Sequence, residues 1–91
     1  MLYVVSYDIP SNKRRLKVAK ALLDFGERVQ LSVFECNLEA ALFEKMTKRL
    51  SGIVLDKEDR VRIYALCGQC KGLIKVMGSG EVTKDEDVYI L

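Results

Sequence analysis

The sequence predicts a small α+β domain in which two helices alternate with short β-strands. Two segments carry apolar residues at helical spacing, and each is flanked by runs rich in Val, Ile, Tyr and Phe. Only one proline, Pro10, interrupts 91 residues. Nearly half of the chain is hydrophobic and nearly a third is charged, which is the balance of a folded chain rather than a disordered one. A core this size is thin, so association with a second copy is expected.

The first strand is predicted over residues 2 to 8, "LYVVSYD". Leu2, Val4 and Ser6 lead to Asp8 on one face, and Tyr3, Val5 and Tyr7 lie on the other. Both faces are apolar enough to be covered. Ser11 or Asn12 can cap a helix running to about Phe25, and Gly26 stands where a C-terminal cap is expected. Leu16, Val18, Ala19, Leu22, Leu23 and Phe25 are assigned to its buried side, with Lys13, Lys17 and Lys20 at the opposite edge. Arg15 falls inside the apolar arc but in the first turn, so its side chain should emerge at the rim of the core, near the end of the first strand.

Residues 28 to 36, "RVQLSVFEC", alternate and read as one strand or a bent hairpin. A second amphipathic helix is predicted from about Glu39 to Leu50, burying Ala40, Leu42, Phe43, Met46 and Leu50. After a loop at 53 to 59, "RVRIYAL" and "LIKVMG" read as two further strands around "CGQC". This order is the split βαβ, or ferredoxin-like, plan βαββαβ with an extra C-terminal strand. The domain is assigned to residues 1 to 78, and residues 79 to 91 to a tail for subunit or partner contact.

Charge is uneven. Residues 1 to 80 carry 14 Lys and Arg against 9 Asp and Glu, whereas Lys84 faces Glu81, Asp85, Glu86 and Asp87 in the last eleven. No apolar run approaches the roughly 20 residues of a membrane span, and Met1 leads directly into strand-like sequence, so the expected compartment is the cytoplasm. Histidine is absent, which removes His general bases, His-activated nucleophiles and imidazole zinc ligands. Cys67 and Cys70 have the spacing of half a zinc knuckle or a redox pair, but only Cys36 remains to join them. The sheet aromatics expected of an RNA-binding module on two central strands are not evident.

Asp8 is the residue with a chemical question attached. An Asp at a strand end ordinarily forms a turn by accepting from the backbone N–H two residues on. Here it is followed by Lys13, Arg14, Arg15, Lys17, Lys20 and Arg28, cations suited to a polyphosphate backbone beside a carboxylate suited to a metal. Two readings follow: a metal-dependent phosphodiesterase, and a scaffold in which the same cations make sequence-independent phosphate contacts while Asp8 organises the turn and pairs with Arg15.

The combination of "YDI" after an apolar strand, the basic first helix "KRRLKVAKALLDFG" and "RVQLSVFEC" resembles the CRISPR-associated endoribonuclease 2 family over nearly the whole chain. That resemblance implies a ferredoxin-like homodimer whose dyad brings two copies of Asp8 together, and a nuclease activity on single-stranded RNA or duplex DNA that depends on Mg²⁺, with Mn²⁺ as a substitute. It also implies a role as a non-catalytic bridge for the CRISPR-associated integrase of spacer acquisition. Tyr7 and Asp8 match the family's "YD", Asp8 being the catalytic metal ligand. Arg15 and Lys17 match its basic pair, Lys17 keeping the charge but not the planar fork of the Arg often found there. Arg28, Ser32 and Phe34 match its "R.Q.SVF" segment. Mg²⁺ is commonly held by one or two carboxylates plus substrate phosphate, so two Asp8 side chains in a dimer plus a phosphate oxygen form a minimal set, with the metal rather than histidine activating water.

The tail ends in "VYIL", too apolar for a solubilising extension, while the acidic stretch before it repels nucleic acid. Deleting residues 81 to 91 is expected to leave DNA affinity at fixed salt equal or higher and to weaken co-purification of the integrase. Loss of DNA binding with the integrase complex intact would contradict this assignment.

Overall fold

Strand β1 (Leu2–Asp8) lies between two antiparallel neighbours in the computed structural model, which describes residues 1–54 and 56–78. The other elements are α1 (Asn12–Leu23), β2 (Glu27–Gln30), β3 (Val33–Asn37), α2 (Ala40–Ser51), β4 (Arg60–Leu66) and the short α3 (Gly68–Lys71). The sheet order β2-β3-β1-β4 is the ferredoxin-like arrangement that the order of segments predicts. Residues 27 to 37 are a hairpin, settling the alternative of a single strand, and an irregularity between Arg28 and Gln30 bends its first strand.

Strand alternation decides what β1 buries. Val5 and Tyr7 are in the core, with Val5 between Phe34 of β3 and Ile63 of β4. Val18 and Leu22 of α1 and Met46 and Leu50 of α2 join the same apolar cluster. Tyr3, half-buried at its margin, stacks on Phe43 with centroids 4.1 Å apart. Both helices thus pack on one side of the sheet. The other side, which bears Val4, Ser6 and Asp8 of β1 and Arg60, Arg62 and Tyr64 of β4, has neither α1 nor α2 against it, so among the described residues the long helices cover only one of the two faces expected to be covered.

Helix α1 starts at the Ser11 cap, whose hydroxyl accepts from the Arg14 N–H at 3.3 Å. It ends two residues before Phe25, yet Phe25 stays buried. Leu16 and Leu23, assigned to the buried arc, are 60% and 56% exposed. At 3.6 residues per turn they lie roughly 160° and 140° around the helix from Val18, on the side away from the sheet. On α2, Met46 and Leu50 are buried, Leu42 and Phe43 are half-buried, and Ala40 is exposed.

The predicted strand "LIKVMG" is not one. The N–H groups of Leu73 and Ile74 donate to the Cys70 and Lys71 carbonyls, continuing the turns of α3 instead of pairing with β4. Leu73 and Met77 are left more than four-fifths exposed. The tail at 79 to 91, including "VYIL" and the extra strand it offers, lies outside the described residues.

Gly26 serves a purpose different from the expected helix cap, whose position Asp24 holds. A Cβ built on Gly26 would run into the Glu35 carbonyl and come within 2.6 Å of the Cys36 sulfur and 2.8 Å of its Cα. The return from α1 to β2 therefore passes too close to β3 for any side chain. Gly26→Ala is expected to cost about 2–3 kcal/mol, lowering the thermal midpoint by roughly 10 °C or more, because a backbone must move. Gly68→Ala, where a Cβ meets nothing within 4 Å, is the control and should be neutral. Equal midpoints for the two variants would contradict the close-approach account.

Candidate active site and nucleic-acid interface

The site is built on the free end of β1. Pairing with β3 ends at Ser6, whereas pairing with β4 continues to Asp8, so the last two residues of the strand extend past one neighbour. The Tyr7 N–H donates to the Ser32 carbonyl at 3.1 Å, and the buried Tyr7 hydroxyl donates to the Leu31 carbonyl at 3.3 Å. These bonds hold the β2–β3 turn against the strand end. Tyr7 is therefore chiefly a core side chain, with its ring tilted against Phe34 at 6.3 Å.

The Asp8 side chain is exposed and, among the described residues, makes no hydrogen bond or ion pair. The ordinary Asp turn is closed to it for a chemical reason. The residue two positions on is Pro10, which has no N–H. Nor does Asp8 pair with Arg15. The Arg15 guanidinium donates instead to the Ile9 carbonyl at 2.9 Å and to Asn12 Oδ1 at 2.6 Å, which fixes it over the strand-to-helix turn at the rim of the core, as its position in the first turn predicts. Both Asp8 oxygens are left available to a ligand.

Two depressions flank this carboxylate. The larger, about 490 Å³, is lined by Tyr7, Asp8, Arg15, Arg28, Leu31 and Ser32 among others. Arg28 lies over the fully buried Phe34 ring, 5.4 Å from its centroid, so a cation–π contact restrains it there. The structure thus brings together Asp8, Arg15, Arg28 and Ser32 from three separate stretches of sequence. Phe34 supports the group from below.

Other expected contributors point elsewhere. Arg14 is clamped to Asp59, with Nε donating at 2.8 Å and Nη2 at 3.3 Å, and lies 3.4 Å from Asp56. The hydrogen bond to Asp59 holds this guanidinium still more firmly in its charged form. Its work is to tie α1 to the loop before β4. Lys17 and Lys20 are exposed on α1 and line neither depression.

The second depression, about 290 Å³, lies on the open face between β1 and β4 and is lined by Ser6, Tyr7, Asp8, Arg60, Arg62 and Tyr64. Sequence reasoning missed it. The signal was the period-two spacing of Arg60, Arg62 and Tyr64 in "RVRIY", which places all three on one face of a strand.

The thiols stand apart from this site. Burial, reinforced by Glu35, pushes the Cys36 thiol up to about 12, so it is protonated at neutral pH. Cys67 and Cys70 are exposed around α3, where the Cys70 N–H and thiol lower the pKa of Cys67 and the same thiol contact raises that of Cys70. Among the described residues no three His, Cys, Asp or Glu side chains converge as a metal cluster, so the carboxylate that one chain can offer at this site is Asp8.

Comparison with known proteins is consistent along the chain. The family model described as CRISPR associated protein Cas2 matches residues 1–74. A Chloroflexus aurantiacus protein named CRISPR-associated endoribonuclease Cas2 1 is 43% identical over 93 residues, covering the whole of both chains. CRISPR-associated endonuclease Cas2 2 of Thermus thermophilus is 42% identical over 90 residues, covering 99% of this chain and 96% of its own. The crystal structure of Streptococcus pyogenes Cas2 at pH 6.5 superposes with a TM-score of 0.74 at 36% identity, covering 86% of this chain and 100% of that one.

Proposed function

The chain belongs to the CRISPR-associated Cas2 family, and from that premise we propose that it is a metal-dependent endonuclease acting on the phosphodiester bonds of single-stranded RNA or duplex DNA as a homodimer. The observation that carries this reading is Asp8: a carboxylate at the end of the central strand, without a side-chain partner among the described residues, between cationic depressions. Structural carboxylates in this chain look different, since Asp59 has a fully buried side chain and a bidentate arginine.

One Asp per chain is a sparse ligand set, and the uncovered face of the sheet offers the remedy. Docked face to face through Val4, Ser6 and Tyr64, two copies place their Asp8 residues across a dyad. Asp8 and the partner subunit's Asp8 would hold Mg²⁺ or Mn²⁺, which supplies polarisation of the phosphate and activation of water when bound. The chain's own groups do the rest. Arg15 and Arg28 accept the phosphate charge, Arg15 kept in place by the Ile9 carbonyl and Arg28 by the Phe34 ring. Tyr7 keeps the Leu31–Ser32 turn closed over the strand end.

A second reading has its own support. Lys13, Lys17 and Lys20 are exposed on α1 and line neither depression beside Asp8, a surface suited to sequence-independent DNA contact. In this role the dimer bridges integrase subunits on a DNA fragment without cutting it.

Cleavage by wild type and Asp8→Asn, purified in parallel, separates the readings. The nuclease reading expects Mg²⁺-dependent cleavage that EDTA abolishes, a loss of about 100-fold or more in Asp8→Asn, and nucleic-acid affinity retained in EDTA. Equal rates for both proteins would contradict it. Binding without cleavage by wild type would assign the chain to the bridging role.

A further inference from the structure

We propose that Cys67 and Cys70 are a thiol–disulfide exchange site, a dithiol that takes a low-molecular-weight disulfide as its oxidant and closes to an intrachain bond. The functional reading above leaves both residues unused. The register of β4 also sets them apart from the candidate active site: Arg60 lies across from Asp8 and Leu66 across from Leu2, which puts the two ends of the strand about 20 Å apart. Cys67 follows Leu66 at the far end.

Backbone geometry brings the two thiols together. The Lys71 N–H donates to the Cys67 carbonyl at 2.8 Å and the Gly72 N–H to the Gly68 carbonyl at 3.2 Å, winding this segment into a single helical turn. Residues three apart on such a turn share a face, with Cβ atoms roughly 5–6 Å apart. A disulfide needs about 4 Å, so a small tightening of the turn suffices. Both cysteines are exposed, and a Cβ at the intervening Gly68 would meet nothing within 4 Å, so a small oxidant can reach the pair.

Two other uses of the pair fit less well. A structural zinc wants four ligands, and among the described residues no three His, Cys, Asp or Glu side chains converge, Cys36 being held in the core beside Gly26. A permanent disulfide gains its stability from the length of loop it closes, and this one would close only four residues. The chemistry left is a bond that opens and closes readily.

The order of events follows from the surroundings of each sulfur. The Cys70 N–H and thiol both favour the Cys67 thiolate, while the contact between the thiols disfavours the Cys70 thiolate. Cys67 is therefore the attacking sulfur. Its thiolate attacks one sulfur of the oxidant, forming a mixed disulfide and expelling the other sulfur as a thiolate. Cys70 then gives its proton to water, and its thiolate attacks the Cys67 sulfur, releasing the second thiolate. The chain loses two electrons and two protons, and the oxidant becomes two thiols. Closed, the bond staples the turn through which the chain leaves β4.

The test exposes the reduced full-length chain to glutathione disulfide, quenches with acid, labels the remaining thiols with a maleimide and identifies the products by mass spectrometry. Wild type should reach one intrachain disulfide, mapped to the peptide that holds Cys67 and Cys70 and reversed by dithiothreitol. Cys70→Ser should stop at a mixed glutathione disulfide on Cys67, and Cys67→Ser should react at Cys70 about fivefold more slowly at pH 7. Equal rates for the two variants would overturn Cys67 as the attacking thiol. Wild type that stays reduced in excess oxidant, accumulates two mixed disulfides, or links into disulfide-bonded dimers through these cysteines would overturn the exchange site itself.

Discussion

Everything at the candidate site depends on the alternation of β1. A central strand has both backbone edges hydrogen-bonded, so its path is held from two sides, and its side chains can only go up or down. Val5 and Tyr7 go down into the core, and Ser6 and Asp8 go up to the open face. A carboxylate can then be rigidly placed without being buried, escaping the cost of desolvating a charge. Pro10 completes the device by denying Asp8 the N–H that would have occupied it.

Three of the cations around Asp8 share a second trait, which is that each is restrained by something other than a carboxylate. Arg15 is held by a carbonyl and an amide, Arg28 by an aromatic ring and Arg62 by a phenol. None of the three has a carboxylate partner among the described residues, and each keeps an incomplete set of hydrogen bonds. Arg14 shows the opposite choice. Its bidentate pairing with Asp59 spends the guanidinium on joining α1 to the loop before β4, the segment that sets where β4 begins. Strength of pairing therefore separates the arginine that builds the fold from those left for a ligand.

Much of this was legible in the sequence. Period-two and period-3.6 patterns are local, so β1, both long helices and the order of elements could be read directly, as could the emergence of Arg15 at the rim. What escaped depends on contacts between distant segments. Gly26 resembles a helix cap until β3 is seen to pass beside it, and Arg14 resembles its neighbour Arg15 until Asp59 arrives from 45 residues away. "LIKVMG" has strand-forming residues, but a strand needs a neighbour, and the turns of α3 claim its first N–H groups. Leu16 and Leu23 put apolar side chains on the exposed side of α1, so apolar identity alone makes the buried arc look wider than it is. Arg60 and Arg62 were overlooked because their significance comes only from lying across the ladder from Asp8 and Ser6.

A second copy docked on the open face of the sheet would complete the one-carboxylate site. Placing a single reactive thiol at the strand end, as Asp8→Cys with Cys67→Ser and Cys70→Ser, tests it directly. Cys36 is buried and protonated, and stays silent. Treatment with a short bismaleimide should convert most of the protein to a covalent dimer, in a yield insensitive to dilution while the dimer persists. Chains that are fully labelled yet remain singly modified monomers would contradict the shared site.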